Sequence, residues 1–205
     1  MPTATFEHLP EEKRQRILDA ASHEFGVNGL SGANFSNIIK EANIARGSIY
    51  QYFTSKEDLY IYIFDRLRAD RAEYVKPAFE LYKQAPFIDF FEQFYLRDSR
   101  YLLMNPLHIE LGKHLYSGKD PTSRGLVQSM QSHYRDWFLV AIELDKERGV
   151  ISSKVSSAVL VDLFVHLVTD LFIVQSMHNQ LSLFNIREHW EQTRFILQNG
   201  FTPIS

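Results

Sequence analysis

The sequence predicts an all-α protein, with a small N-terminal helix-turn-helix domain followed by a larger C-terminal helical domain. Three observations carry this expectation. Apolar residues recur at spacings of three and four along most of the chain, as in Phe35, Ile38, Ile39 and Ala42 or in Phe87, Phe90, Phe91 and Phe94. No alternation of useful length suggests a strand, and Gly and Pro fall mainly at joints. Residues 33–59 compress a short helix, a tight turn and a second short helix into one module.

The periodicity predicts helices over 10–27, 34–41, 45–51, 55–81, 87–104, 106–116, 122–147, 155–178 and 187–199. Asn34 is the expected N-cap of the second. Asn43 stands at the corner after it, where an asparagine tolerates the left-handed conformation such a corner needs. Beyond the corner, Ile44 and Ile49 are expected to point inward, leaving Arg46, Ser48, Tyr50, Gln51 and Tyr52 facing outward. Thr54 and Glu57 fit a capping box that opens the long helix 55–81, which Pro77 kinks or ends. Lys119-Asp120-Pro121-Thr122 and residues 148–153 form the clearest loops.

The run Gly-Ser-Ile-Tyr-Gln-Tyr-Phe-Thr-Ser-Lys-Glu-Asp-Leu at 47–59 resembles the end of the TetR-type repressor DNA-binding domain. The resemblance extends back through Arg14, Ile17, Leu18, Ala20, Ala21 and Phe25 to Gly29. Two positions depart from the family pattern: Asn43 replaces a glycine, and Ala45 replaces a capping serine or threonine. The resemblance implies a domain division at about 1–54 and 55–205, with helix 55–81 as the mechanical connection. It also implies a ligand-responsive regulator, a repressor, that binds palindromic double-stranded DNA as a homodimer.

By the same resemblance, Arg46, Ser48 and Gln51 are candidates for base edges. Ser36, Tyr50, Tyr52 and Lys56 are candidates for phosphates, and Gly47 lets the backbone come close. Charge gives this reading little help. Residues 10–60 hold six Lys and Arg against seven Asp and Glu, so a shallow salt dependence of binding is expected.

In the larger domain, the aromatic stripe of helix 87–104 has two readings. It is core packing, or its rings line a cavity for an apolar or aromatic small molecule, with Phe91, Phe94, Tyr101, His108, Trp137 and Phe164 as candidates. Helix 155–178 is apolar on most sides and is expected to be buried on more than one face. The family layout makes it part of a four-helix dimer interface, with Leu160, Leu167, Leu171, Trp190 and Phe195 as candidates. Asp162, His166 and Asp170 share one helical stripe, for which interhelical hydrogen bonding or a polar strip in the dimer interface is preferred to a metal.

Composition excludes several classes. With 45% apolar residues among 205 the chain can bury a large core, and without cysteine it forms no disulfide or thiolate metal site. The N-terminus lacks a secretory apolar stretch, and Asp162, His166 and Asp170 interrupt the nearest candidate membrane span. A cytoplasmic protein without membrane contact is expected. No Gly-rich phosphate loop, His-Glu-x-x-His or Gly-x-Ser-x-Gly is present, so neither catalysis nor a cofactor is expected. The competing reading is a helical interaction module of the same fold that does not bind specific DNA.

Overall fold

The computed structural model describes residues 2–177 and 182–200, with side chains of 169–177 left aside. Among them every regular element is a helix, so the fold is all-α, with an N-terminal helix-turn-helix and a C-terminal helical part. The elements are α1 (Ala4–Glu7), α2 (Glu11–Gly32), α3 (Phe35–Glu41), α4 (Ile49–Tyr52) and α5 (Lys56–Phe79). These are followed by α6 (Phe87–Met104), α7 (Pro106–Ser117), α8 (Pro121–Glu147), α9 (Ser157–Met177) and α10 (Leu183–Asn199). Two compact units result: Met1–Asp70 with Asn105–Met130, and Arg71–Met104 with Gln131–Ser205.

The first unit is organised around α2. Its inward stripe of Ile17, Leu18, Ala21 and Phe25 meets Ile38, Ile49, Phe53, Leu59 and Tyr60, all nearly or fully buried. Burying each large apolar side chain is worth about 1.5–3 kcal/mol, and this sustained contact holds together elements too short to be helical alone. Helix α2 also packs on α7. A Cβ on Gly26 would stand 2.8 Å from Leu107 Cδ1, so the absence of a side chain there permits the close approach.

The chain continues in α2 beyond the expected end at 27, to Gly32, but Gly29 breaks the regular path with φ 63° and ψ 178°. A residue with a Cβ would be strained there, and the new atom would lie 2.9 Å from His114 Nδ1. A buried Glu24 then ties the next element down. Its carboxylate accepts from the Asn34 N–H at 2.8 Å and from Asn37 Nδ2 at 3.1 Å.

The capping arrangement that opens α5 differs from the expected one. Helix α5 starts at Lys56, one residue later than expected, so Ser55 is the capping residue and its Oγ accepts from the Asp58 N–H at 3.1 Å. The Asp58 carboxylate turns back to the Thr54 hydroxyl at 3.0 Å, and Glu57 is not the partner. Pro77 lies inside α5, which runs on to Phe79, two residues short of the expected end at 81.

The second unit is built on aromatic rings. Helix α6 has the expected bounds and buries Phe87, Phe90, Phe91, Phe94 and Tyr95 on one side. Its N-terminus is capped from a distance, as the Phe87 N–H donates to the buried Asp145 carboxylate at 2.6 Å. The Arg71 guanidinium grips the buried Asp98 carboxylate with two N–H groups. Burial, reinforced by the Asp98 charge, pushes the nearby Tyr95 hydroxyl well above the ordinary phenol range. Arg194 links α10 to Asp89 and Glu92 of α6.

Candidate nucleic-acid interface

The corner between α3 and α4 is set by Asn43, whose φ of 51° is the left-handed turn that the sequence requires there. Helix α3 is capped by Asn34, whose side chain accepts from the Ser36 N–H at 2.8 Å. Its stripe is as expected: Ile38 and Ala42 are buried, and Phe35 and Ile39 are partly so.

The second short helix is shorter than expected, Ile49–Tyr52 instead of 45–51. Residues 46–48 form a turn, in which the Ser48 N–H donates to the Ala45 carbonyl at 2.9 Å. With Ala45 at that end no side chain caps the helix, so the chain enters it through the tighter turn.

Around the buried Ile49 and Phe53, the outward set comprises Arg46, Gly47, Tyr50 and Gln51, with Ser48 half-buried and Ser36 exposed on α3. Tyr50, 64% exposed, leans its ring edge-on against Phe35 at 5.5 Å. Ser36, Ile39, Lys40, Asn43, Ile44 and Arg46 line one concave cleft beside this corner. Lys40 lies four residues from Ser36, hence on the same face of α3, and that spacing was the signal available for adding it to the candidate set.

Tyr52 is not outward. It is 3% exposed, with its ring 5.9 Å from Phe6 and the Lys13 ammonium over its face. The expectation erred because α4 ends at Tyr52, and Tyr52 follows the inward path of Phe53. Lys56 is half-buried and donates to the Ala33 and Ser31 carbonyls at 2.9 and 3.4 Å, closing the end of α2.

Most acids of residues 10–60 have partners of their own within that segment. Glu24 is consumed internally, Glu11 pairs with Arg14, Asp19 accepts from Gln15, Glu41 meets His23 and Asp58 serves the α5 cap. Five of the seven acids are thus engaged locally, and Lys40 and Arg46 line the cleft.

In the second unit Phe91, Phe94 and Phe164 lie within one packed ring cluster, with Phe91 4.5 Å from Phe164 and 6.2 Å from Phe94. Trp137 stands at the edge against Phe79 and Tyr82, while the Tyr101 ring lies tilted against Tyr74 at 5.3 Å. His108 belongs to the first unit, on α7.

Of the residues considered for a dimer face, Leu160 and Leu167 are half-buried and Phe195 is exposed, whereas Leu171 lies outside the described side chains. Trp190 is 2% exposed and packs on Phe91 and Tyr95, so it fills the core of its own unit instead of a free face. The amphipathic turn of α10 that carries it points Trp190 and Ile186 inward together. Asp162 is bound by Arg135, an interhelical pair; the side chain of Asp170 lies outside the described ones.

Residues 17–63 match the sequence profile of the bacterial regulatory proteins, tetR family. This segment is a tetR-family domain. An HTH-type transcriptional regulator of Bacillus subtilis (strain 168), YdgC, is 45% identical over 49 residues, 24% of this chain and 25% of the relative. The HTH-type transcriptional regulator AcrR of Shigella flexneri is 40% identical over 55 residues, 27% of this chain and 26% of the relative. The chain thus matches about a quarter of the length of these relatives. The fold likeness is broader. The transcriptional regulator FadR from Bacillus subtilis in complex with stearoyl-CoA superimposes with a TM-score of 0.74 at 18% identity, over 92% of this chain and 99% of that one. The tetR-family domain therefore sits in a chain with the overall fold of such regulators. Among the described residues no helix is long and apolar enough to cross a membrane.

Proposed function

We propose that the protein is a ligand-responsive transcriptional regulator, a cytoplasmic repressor that binds palindromic operator DNA as a homodimer. The observation that carries this is the exposed set Arg46, Gly47, Tyr50 and Gln51, held around a buried Ile49 within a tetR-family domain. The functional division follows at 1–54 for DNA and 55–205 for ligand binding and dimerisation.

Arg46 grips guanine, Gln51 pairs with adenine, and Ser48 contacts either, because a guanidinium and a side-chain amide match those base edges. Ser36, Tyr50 and Lys56 contact phosphates and fix the register. Gly47 places backbone near the duplex, where it has open space around it. One such short element reads few base pairs, and a twofold pair of them about 34–36 Å or somewhat more apart reads an inverted repeat. The apolar residues exposed on α9 and α10, Val159, Leu163, Phe195 and Ile196, support a dimer face there, with Leu160, Leu167 and Leu171 on the same helix α9.

The effector is a small apolar or aromatic molecule admitted to the aromatic core of the second unit, among Phe91, Phe94, Tyr101, Trp137 and Phe164. It acts by binding better to a conformer in which α5 has moved, and its differential affinity supplies the energy. Long-chain acyl thioesters are the first class to test, given the stearoyl-CoA complex of the similarly folded FadR.

Selection of duplexes from a random pool by the purified protein tests the reading. Enrichment of an inverted repeat is expected, with release by a matching effector; a pool that stays random refutes it.

A further inference from the structure

Helix α4 carries the DNA-facing residues, yet at four residues it is too short to hold itself, and its last carbonyls have no partner within the helix. Those carbonyls are taken by the segment ahead of α2. The Thr3 hydroxyl donates to the Gln51 carbonyl at 2.6 Å, and the Thr3 N–H donates to the Tyr52 carbonyl at 3.0 Å. One turn later Phe6, fully buried, places its ring 4.7 Å from Phe53, 5.9 Å from Tyr52 and 5.7 Å from Tyr62. The segment is itself fastened, as Arg14 Nη1 donates to the Glu7 carbonyl at 3.2 Å and the Leu9 N–H to the Phe6 carbonyl at 3.1 Å. It lies outside the stretch that matches the family profile, which begins at residue 17.

We propose that Thr3–Leu9 is a clasp that fixes the pose of α4 and, through it, operator recognition; the second part rests on the DNA-binding function proposed above. Thr3 and Phe6 are positioning residues: they act on α4 from behind and are not assigned to the duplex. With Tyr52 pinned against Phe6, α4 cannot roll, and Tyr50 and Gln51 stay exposed on its other faces. Loosening the clasp gives α4 more orientations, which weakens specific binding and leaves sequence-independent phosphate attraction almost intact.

The test compares wild type, Thr3→Val, Phe6→Ala and Phe6→Leu at a temperature where circular dichroism shows each folded. Two readouts are needed: amide hydrogen exchange at residues 49–53, and affinity for the selected operator against random duplex. In Phe6→Ala, exchange at 49–53 is expected to rise roughly ten-fold or more while α6 is unchanged, because local opening is set by local contacts. Operator affinity should fall about ten-fold and random-duplex affinity less than about two-fold, with Phe6→Leu restoring most of the loss because it refills much of the buried volume. Thr3→Val keeps the volume and loses one hydrogen bond, for which about a five-fold loss is expected; it carries the test if Phe6→Ala does not fold.

Unchanged exchange at 49–53 overturns the clasp without any DNA present. Selective wild-type binding with equally tight, equally selective variants overturns its link to recognition. Accelerated exchange in a protein that prefers no duplex keeps the clasp on α4 and removes both that link and the DNA-binding function.

Discussion

Replacing Glu24 with alanine should damage the first unit more than any exposed acid would. The Glu24 carboxylate is 7% exposed and serves two donors, the Asn34 N–H at 2.8 Å and Asn37 Nδ2 at 3.1 Å to each oxygen. Hydrogen bonds to a charged group contribute about 1.5–3 kcal/mol each, and the donors left behind regain some water because Asn34 and Asn37 are otherwise exposed. A net loss of about 3 kcal/mol follows, or a fall in Tm of roughly 6–12 °C for a chain of this size. Glu24→Gln keeps the shape and one acceptor oxygen but loses the charge and presents an amide to the Asn37 amide, so about half of that loss is expected. Urea unfolding followed by far-ultraviolet circular dichroism, with hydrogen exchange at 34–41 to locate the damage, measures both. A Glu24→Ala protein within about 0.5 kcal/mol of wild type would refute the assignment of Glu24 as the tie between α2 and α3, since surface changes have effects of that size.

Gly29→Ala places a Cβ at φ 63° and 2.9 Å from His114 Nδ1, so a loss of at least about 1–2 kcal/mol is expected from the backbone alone; adding His114→Ala should relieve only the steric share, which thermal unfolding of the double variant will show. Asp120 caps α8 by accepting from the Ser123 N–H and hydroxyl at 2.8 and 2.7 Å; burial pushes its carboxyl up, but these bonds outweigh burial and hold it below the usual carboxylate range. Its folded pKa is the lower one, so the stabilisation is present above about pH 4 and is lost as pH falls through the folded value. Asp120→Ala should therefore cost about 1 kcal/mol at pH 7, with the gap to wild type narrowing only in acid, as urea titrations across pH will test. With Lys40, Arg46 and Lys56 as the cations nearest the proposed DNA face of each copy, the logarithm of operator affinity should fall with log salt at a slope no steeper than about −5 for a dimer; a much steeper slope would mean that other charges carry binding.

The parts of the fold that were legible in the sequence are those in which one residue type answers one local demand. Asn43 was readable as a left-handed corner, and α6 was readable to the residue because Phe87, Phe90, Phe91 and Phe94 leave no other helical face to bury. Local rules failed where partners are distant in sequence. Nothing near Phe87 announces that Asp145 caps it, nor near Arg71 that Asp98 receives it. Within the candidate site, the exposure of Arg46, Tyr50 and Gln51 was legible from the burial of Ile49. Tyr52 was not, because its direction depends on Phe6, and a four-residue α1 has too little periodicity to be seen beforehand. Lys56 reads as a free cation until the chain is folded and the carbonyls of Ser31 and Ala33 come within its reach.

In the proposed function, the exposed residues around α4 recognise DNA by sequence. Fluorescence anisotropy on the selected duplex, in the presence of a large excess of random competitor at fixed salt, tests it most directly with wild type, Arg46→Ala and Tyr50→Ala. Competitor-resistant binding by wild type is expected, with a loss of about 1–3 kcal/mol and relaxed preference at one base pair for Arg46→Ala, and a uniform weakening across sequences for Tyr50→Ala. Both variants binding the duplex as tightly and selectively as wild type would contradict this recognition.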